Sequence, residues 1–147
     1  KSRNVIYFSG ADRQPSELPG VPPSTAVTNR TLGFGAQPLY PPGIDFTEPG
    51  PFFPLYQFDV LHPCTQGAQP ASPYQNGIVF FPGALPLYRN GVLVGGLGVS
   101  GDGVEQDDFV TNAGATGFEA PGRIRADRVM DEGVRLPYLK FPRNPTD

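Results

Sequence analysis

Gly96-Leu-Gly-Val-Ser-Gly101 spells G-x-G-x-x-G, the spacing with which a strand end and a helix start cradle a diphosphate. In a dinucleotide-binding fold that run ends a parallel strand within a βαβ unit of about thirty residues. Here it lies on the return arm of a hairpin turning at Asn90-Gly91, and no such unit follows, so the nucleotide reading is set aside. Gly95, Gly96 and Gly98 weaken the strand that carries them, which implies close approach of a packed helix or of a flat ligand. Ser100, Asp107 and Asp108 have the types for an acid/base or metal cluster, yet capping and the helix dipole alone account for short acids at a helix start. His62 and Cys64, separated by one proline, form the single soft-ligand pair. Two ligands leave a structural zinc site half built, and no Cys-x-x-Cys-His accompanies them. Arg123, Arg125 and Arg128 can fork onto a carboxylate, or can pair with Asp127, Asp131 and Glu132 nearby. Nucleophilic catalysis has no support, because Ser100 lacks a G-x-S-x-G setting and the sole histidine is distant in sequence. Asn29-Arg-Thr31 is a glycosylation sequon by letter only.

These residues need elements to position them. The hairpin strands are expected at Leu85 to Arg89 and Val92 to Ser100, followed by a helix from Val104 to Gly117 capped by Asp102. Glu105, Asp107 and Asp108 occupy its first turns, and Phe109, Val110, Ala113 and Phe118 can share one face. Residues 1–9 read as the end of a helix stopped at Ser9-Gly10. A short helix from Ser24 to Leu32, capped by Ser24 or Thr25, is the one periodic feature between Ala11 and Gly77. Gly77 to Phe81 is a strand or a buried connection. A last hairpin is expected from Arg125 to Met130 and Val134 to Phe141, joined by Asp131-Glu132-Gly133. Helices alternating with antiparallel hairpins make the class α+β.

Composition bounds the rest. The 147 residues include 19 glycines and 19 prolines, about a quarter of the chain, and most prolines precede residue 87. The stretch 10–77 therefore reads as a long Pro-rich insertion, irregular in backbone. It is too aromatic for a solvated linker, with Phe34, Leu39, Tyr40, Phe46, Phe52, Phe53, Leu55, Tyr56 and Phe58, and is expected to be ordered and to wrap a surface. A net charge of -3 provides no field for nucleic acid, and no apolar run approaches a membrane span. The lone Cys64 cannot form an internal disulfide. An insertion without lysine leans toward an exported, periplasmic protein, with the cytoplasm as the other compartment.

Three runs carry a resemblance: Gly83-Ala-Leu-Pro-Leu-Tyr-Arg-Asn-Gly91, Val94-Gly-Gly-Leu-Gly-Val-Ser-Gly101 and Gln106-Asp-Asp-Phe-Val-Thr-Asn-Ala-Gly114. The segment from about Pro82 to Phe118 resembles the GlcG/HbpS-like haem-binding family, also called haem-degrading or PduO C-terminal-like. Ser2-Arg-Asn-Val-Ile-Tyr-Phe-Ser9 is similar to the end of the family's helix before the hairpin. The resemblance implies an antiparallel sheet flanked by helices with profilin/PAS-like layering, of which residues 78–147 are the C-terminal half and residues 1–9 the end of an upstream helix. It implies an N-terminal portion as a partner, a homo-oligomer, and haem or a related tetrapyrrole near Gly95, Gly96, Gly98 and Ser100, with Arg123 and Arg125 on its carboxylates. An axial haem ligand would come from His62, Cys64, Met130 or a weaker donor.

The expectation is thus a binding module for haem or a related small ligand. A non-catalytic accessory subunit whose aromatic insertion grips another polypeptide is the alternative, and no residue set carries a haem-degrading or other enzymatic activity.

Overall fold

Asn90 and Gly91 take φ of 52° and 77°, the positive pair that a two-residue hairpin turn requires. They join β1 (Ala84–Arg89) to β2 (Val92–Gly98), which pair antiparallel in a two-stranded sheet. The computed structural model describes residues 1–41, 48–62 and 77–140. Leu87 faces Gly95 whereas Tyr88 faces Leu93, which makes Val94 the extra residue of a β-bulge.

Helices cover both faces of this ribbon. Against one lies α1 (Ser2–Phe8), seated where β2 has no side chains: a Cβ on Gly96 would stand 2.6 Å from Ser2 O and 2.8 Å from Val5 Cγ2. A Cβ on Gly98 would stand 2.8 Å from Ser2 N. Leu97 projects to the opposite face, where α4 (Val104–Gly114) brings Gly114 against it. Antiparallel strands between helices confirm the α+β class.

Several local expectations are corrected. The helix expected from Ser24 to Leu32 is α2, Asn29–Gly35, and its cap is Thr28: Thr28 Oγ1 accepts from Thr31 N at 3.1 Å while Thr31 Oγ1 accepts from Thr28 N. Ser24 instead sits at φ 66° in a turn. Asp102 does not cap α4, whose N-cap is Gly103 without a side-chain bond, and the helix stops three residues early, at Gly114. The Pro-rich stretch also contains α3 (Phe53–Leu61), with Pro54 in its first turn, where a missing N–H costs nothing. The last hairpin is reduced to β3 (Met130–Asp131) and β4 (Val134–Arg135), because Ala126–Arg128 form a 3₁₀ turn.

The core also departs from a wrapped surface. Leu18, Val21, Ala26, Val27, Leu32, Phe52 and Leu55, all from the Pro-rich stretch, pack in one cluster with Phe8, Leu85, Tyr88, Ala115, Leu136 and Tyr138. Of the apolar residues expected to hold that stretch down, Tyr40, Phe52 and Leu55 are buried, Leu39, Tyr56 and Phe58 are exposed, and Phe46 lies outside the described residues. A parallel bridge, Ala26 N to Ile124 O at 2.7 Å and Ala126 N to Ala26 O at 2.9 Å, joins the first half to the C-terminal loops.

Candidate functional site

The bridge at Ala26 fixes the backbone on both sides of Arg125, and α2 fixes what lies opposite. Thr28 Oγ1 donates to Tyr138 O, and Thr31 Oγ1 donates to Pro137 O at 2.7 Å, so the threonines that cap α2 also hold residues 137 and 138. Tyr88 donates its N–H to Phe118 O at 2.8 Å, which anchors the loop after α4. Between these anchors opens a cavity of about 940 Å³, within the size range of small-molecule sites. Phe34, Leu85, Ala115, Leu136 and Leu139 provide apolar lining, and Arg125, Arg128 and Arg135 line it with guanidinium groups.

Within the cavity lining, Arg125 Nη2 lies 2.5 Å from Asp127 Oδ2, and its guanidinium stacks 4.7 Å from the Tyr138 ring centre. Arg128 reaches the Gly122 carbonyl at 3.4 Å. The Tyr138 hydroxyl is buried without a hydrogen-bond partner among the described residues, and that desolvation pushes its ionisation well above the ordinary phenol range. Asp127 and Glu119 oppose the cationic lining. The arrangement can hold an amphipathic molecule whose carboxylate meets the guanidinium forks while its apolar body rests on the leucines.

Of the residues singled out in the sequence, Arg125 and Arg128 line this cavity, and Arg125 pairs there with Asp127. Arg123 is exposed and outside the lining. Gly96 and Gly98 lie beneath α1, Gly95 faces Leu87, and Ser100 is exposed, so the structure does not bring the glycine strand and the arginines into one site. Asp107 accepts from Lys1 Nζ at 2.9 Å and from Gly101 N at 2.8 Å. Asp108 accepts from Arg30 Nε at 2.5 Å, Gly83 N at 2.9 Å and Lys140 N at 3.1 Å. Both carboxylates are occupied in joining segments, and no group of three or more metal-binding side chains occurs among the described residues. His62 caps α3, its Nδ1 2.7 Å from Phe58 O and its ring stacked on Phe58. Cys64 lies outside the described residues, and Met130 is exposed. Asn29 is wholly buried, so the sequon does not reach the surface. Arg135 and Tyr138 were missed by sequence reasoning. A basic residue three positions before a tyrosine carries no motif, and a chain reversal at Glu132-Gly133 brings them near Arg125.

The model of a family described as haem degrading protein HbpS-like matches residues 53–116, the stretch from α3 through α4. The match begins inside the stretch whose composition reads as an insertion. A curated relative, the corrinoid adenosyltransferase PduO of Salmonella typhimurium strain LT2, is 45% identical over 49 residues, 33% of this chain. That region spans 15% of the relative's own length. No solved structure matches the chain. The cavity straddles the segment that the family model matches, which contributes Leu85, Asn112 and Ala115, and the C-terminal loops, which contribute the arginines.

A haem group is tested against this lining. The guanidinium groups and apolar side chains fit its propionates and ring, whereas no His, Cys or Met lines the cavity among the described residues. The fit is to the periphery of a tetrapyrrole and not to its metal.

Proposed function

We propose that the chain is a binding module for haem or a related tetrapyrrole, held through its carboxylates and apolar face by the cavity of Arg125, Arg128, Arg135 and Tyr138. The observation that carries this reading is a cavity of about 940 Å³ that joins three guanidinium groups to an apolar lining, partly built by a segment matching a haem-related family. Arg125 has its Nε–Nη2 fork on the Asp127 carboxylate and its guanidinium over the Tyr138 ring, which fixes its orientation and leaves Nη1 for a ligand carboxylate. Arg128 and Arg135 supply further donors.

Titration with haemin, followed by its visible absorption and by retention on gel filtration, tests the reading. Arg135→Gln and Arg125→Gln are each expected to weaken binding about tenfold, the effect of losing one charge-assisted hydrogen bond. Haemin that stays unbound, or that binds the double variant as tightly as the parent, defeats it.

A second reading has its own observation. Helix α3 buries only Leu55 and exposes Tyr56, Phe58, Val60 and Leu61, with Phe81 exposed nearby in the following segment. An accessory role, with this surface gripping another polypeptide, predicts a protein indifferent to haemin whose association weakens when Leu61 and Phe81 become serine.

A further inference from the structure

Guanidinium groups account for only part of the cavity's polar lining. Asn112, half-buried on α4, lines the same space, and its side-chain amide has no hydrogen-bond partner among the described residues. Glu119, in the loop after α4, accepts from Gly117 N at 3.0 Å and forms an ion pair with none of the arginines. That backbone bond first, and one to its own N–H second, hold its carboxyl below the ordinary 4.5, so Glu119 is ionised at neutral pH. Asp127, by contrast, is taken up by the Arg125 fork. Beside its cations the lining therefore offers one group that both donates and accepts, and one anion that only accepts.

Those two groups discriminate among tetrapyrroles. Haem has its pyrrole nitrogens on iron and presents ionised propionates and a hydrocarbon rim, so it brings no N–H to Glu119 and no polar edge to Asn112. An open-chain tetrapyrrole keeps the propionates but ends in lactam rings, each a C=O beside an N–H. Such an edge pairs with a side-chain amide, and its N–H is a donor to a carboxylate. Resting on the reading that the cavity holds a tetrapyrrole through its carboxylates, we propose that the preferred ligand is a metal-free, open-chain tetrapyrrole, selected over haem by Asn112 and Glu119. The arginines, all beyond Gly122 in the chain, take the propionates of either pigment. Asn112 and Glu119, on α4 and the loop after it, make the choice between them. With haem in place Glu119 adds only repulsion toward the propionates.

Parallel titrations with biliverdin and with haemin, followed by absorption and by the circular dichroism induced in the bound pigment, test the proposal. Biliverdin is expected to bind at least about tenfold tighter than haemin, and Asn112→Leu to weaken biliverdin about tenfold more than haemin, the effect of one lost hydrogen bond. Glu119→Gln weakens biliverdin and strengthens haemin, opposite signs that a misfolded chain cannot produce. Biliverdin dimethyl ester, which keeps the lactams and lacks the carboxylates, separates this proposal from the reading beneath it: an ester bound as tightly as the free acid defeats the arginine-held mode and the proposal with it. Haemin bound as tightly as biliverdin, or an Asn112→Leu variant that loses both pigments equally, overturns the proposal while arginine-dependent haemin binding leaves the reading standing. A protein that binds neither pigment overturns both.

Discussion

Gly95 and Gly96 are identical in chemistry and adjacent in sequence, and their surroundings give them opposite tolerance. A methyl on Gly95 meets Leu87 Cδ1 at an ordinary 4.0 Å, whereas one on Gly96 meets the carbonyl oxygen of Ser2 at 2.6 Å, a backbone atom that yields only if α1 moves. Gly96→Ala is therefore expected to cost about 1–3 kcal/mol, the range of an overpacked core, and Gly95→Ala far less. Paired denaturant titrations check this, and equal effects would show that helix packing does not account for the glycine at 96. Strand glycines announce close approach in the sequence, but which glycine, and approached by what, depends on α1 crossing from more than eighty residues away in sequence.

Helix α4 shows the same division at the next scale. Its position was legible within three residues at the C-terminus, since acids in the first turn and the preceding glycines mark a helix start. The orientation expected from its apolar residues is reversed: Phe109 and Val110 are 56% and 50% exposed, while Asp108 and Thr111 are fully buried. The reason is the set of donors converging on Asp108 from Arg30, Gly83 and Lys140, which occupy three separate parts of the chain. Removing this carboxylate leaves Arg30 with only its longer contact to Glu105 and takes the acceptor from the Gly83 and Lys140 amides. Asp108→Ala is accordingly expected to cost about 3–5 kcal/mol, whereas Phe109→Ser stays within about 0.5 kcal/mol. Thermal unfolding of the two variants reads the contrast directly, and a larger loss for Phe109→Ser would restore the sequence-based orientation. Helix α3 escaped notice for a related reason: a run apolar on nearly every side has no period to detect.

Across the molecule, Asp131 ties stability to pH. Its carboxyl is buried against Gly20, with Oδ2 lacking a hydrogen-bond partner among the described residues. Burial first, and the Glu132 charge second, raise its pKa above the ordinary 3.8, opposed by a backbone bond at Glu132. The folded chain then holds this proton more tightly than the unfolded one. The resulting stabilisation is complete below 3.8, declines as pH rises through the raised folded-state value, and is absent at neutral pH. Asp131→Asn is expected to abolish that decline and to raise the melting temperature at neutral pH, as calorimetry over an acid-to-neutral series would show. An unchanged profile would mean that Asp131 is solvated in the native state.

Local chemistry alone determined the hairpin, because Asn90-Gly91 selects its own turn. It determined the helix after the hairpin, because acids and glycines mark its start, and the α+β class, because alternating short elements leave few other packings. The tertiary structure decided what those elements are for. It drew much of the core from the Pro-rich half, turned two neighbouring aspartates into joints between segments, and gathered Arg125, Arg128, Arg135 and Tyr138 around one cavity. Burial and convergence depend on contacts between residues remote in sequence, and a carboxylate or guanidinium reads the same on paper whether water or another segment of the chain receives it.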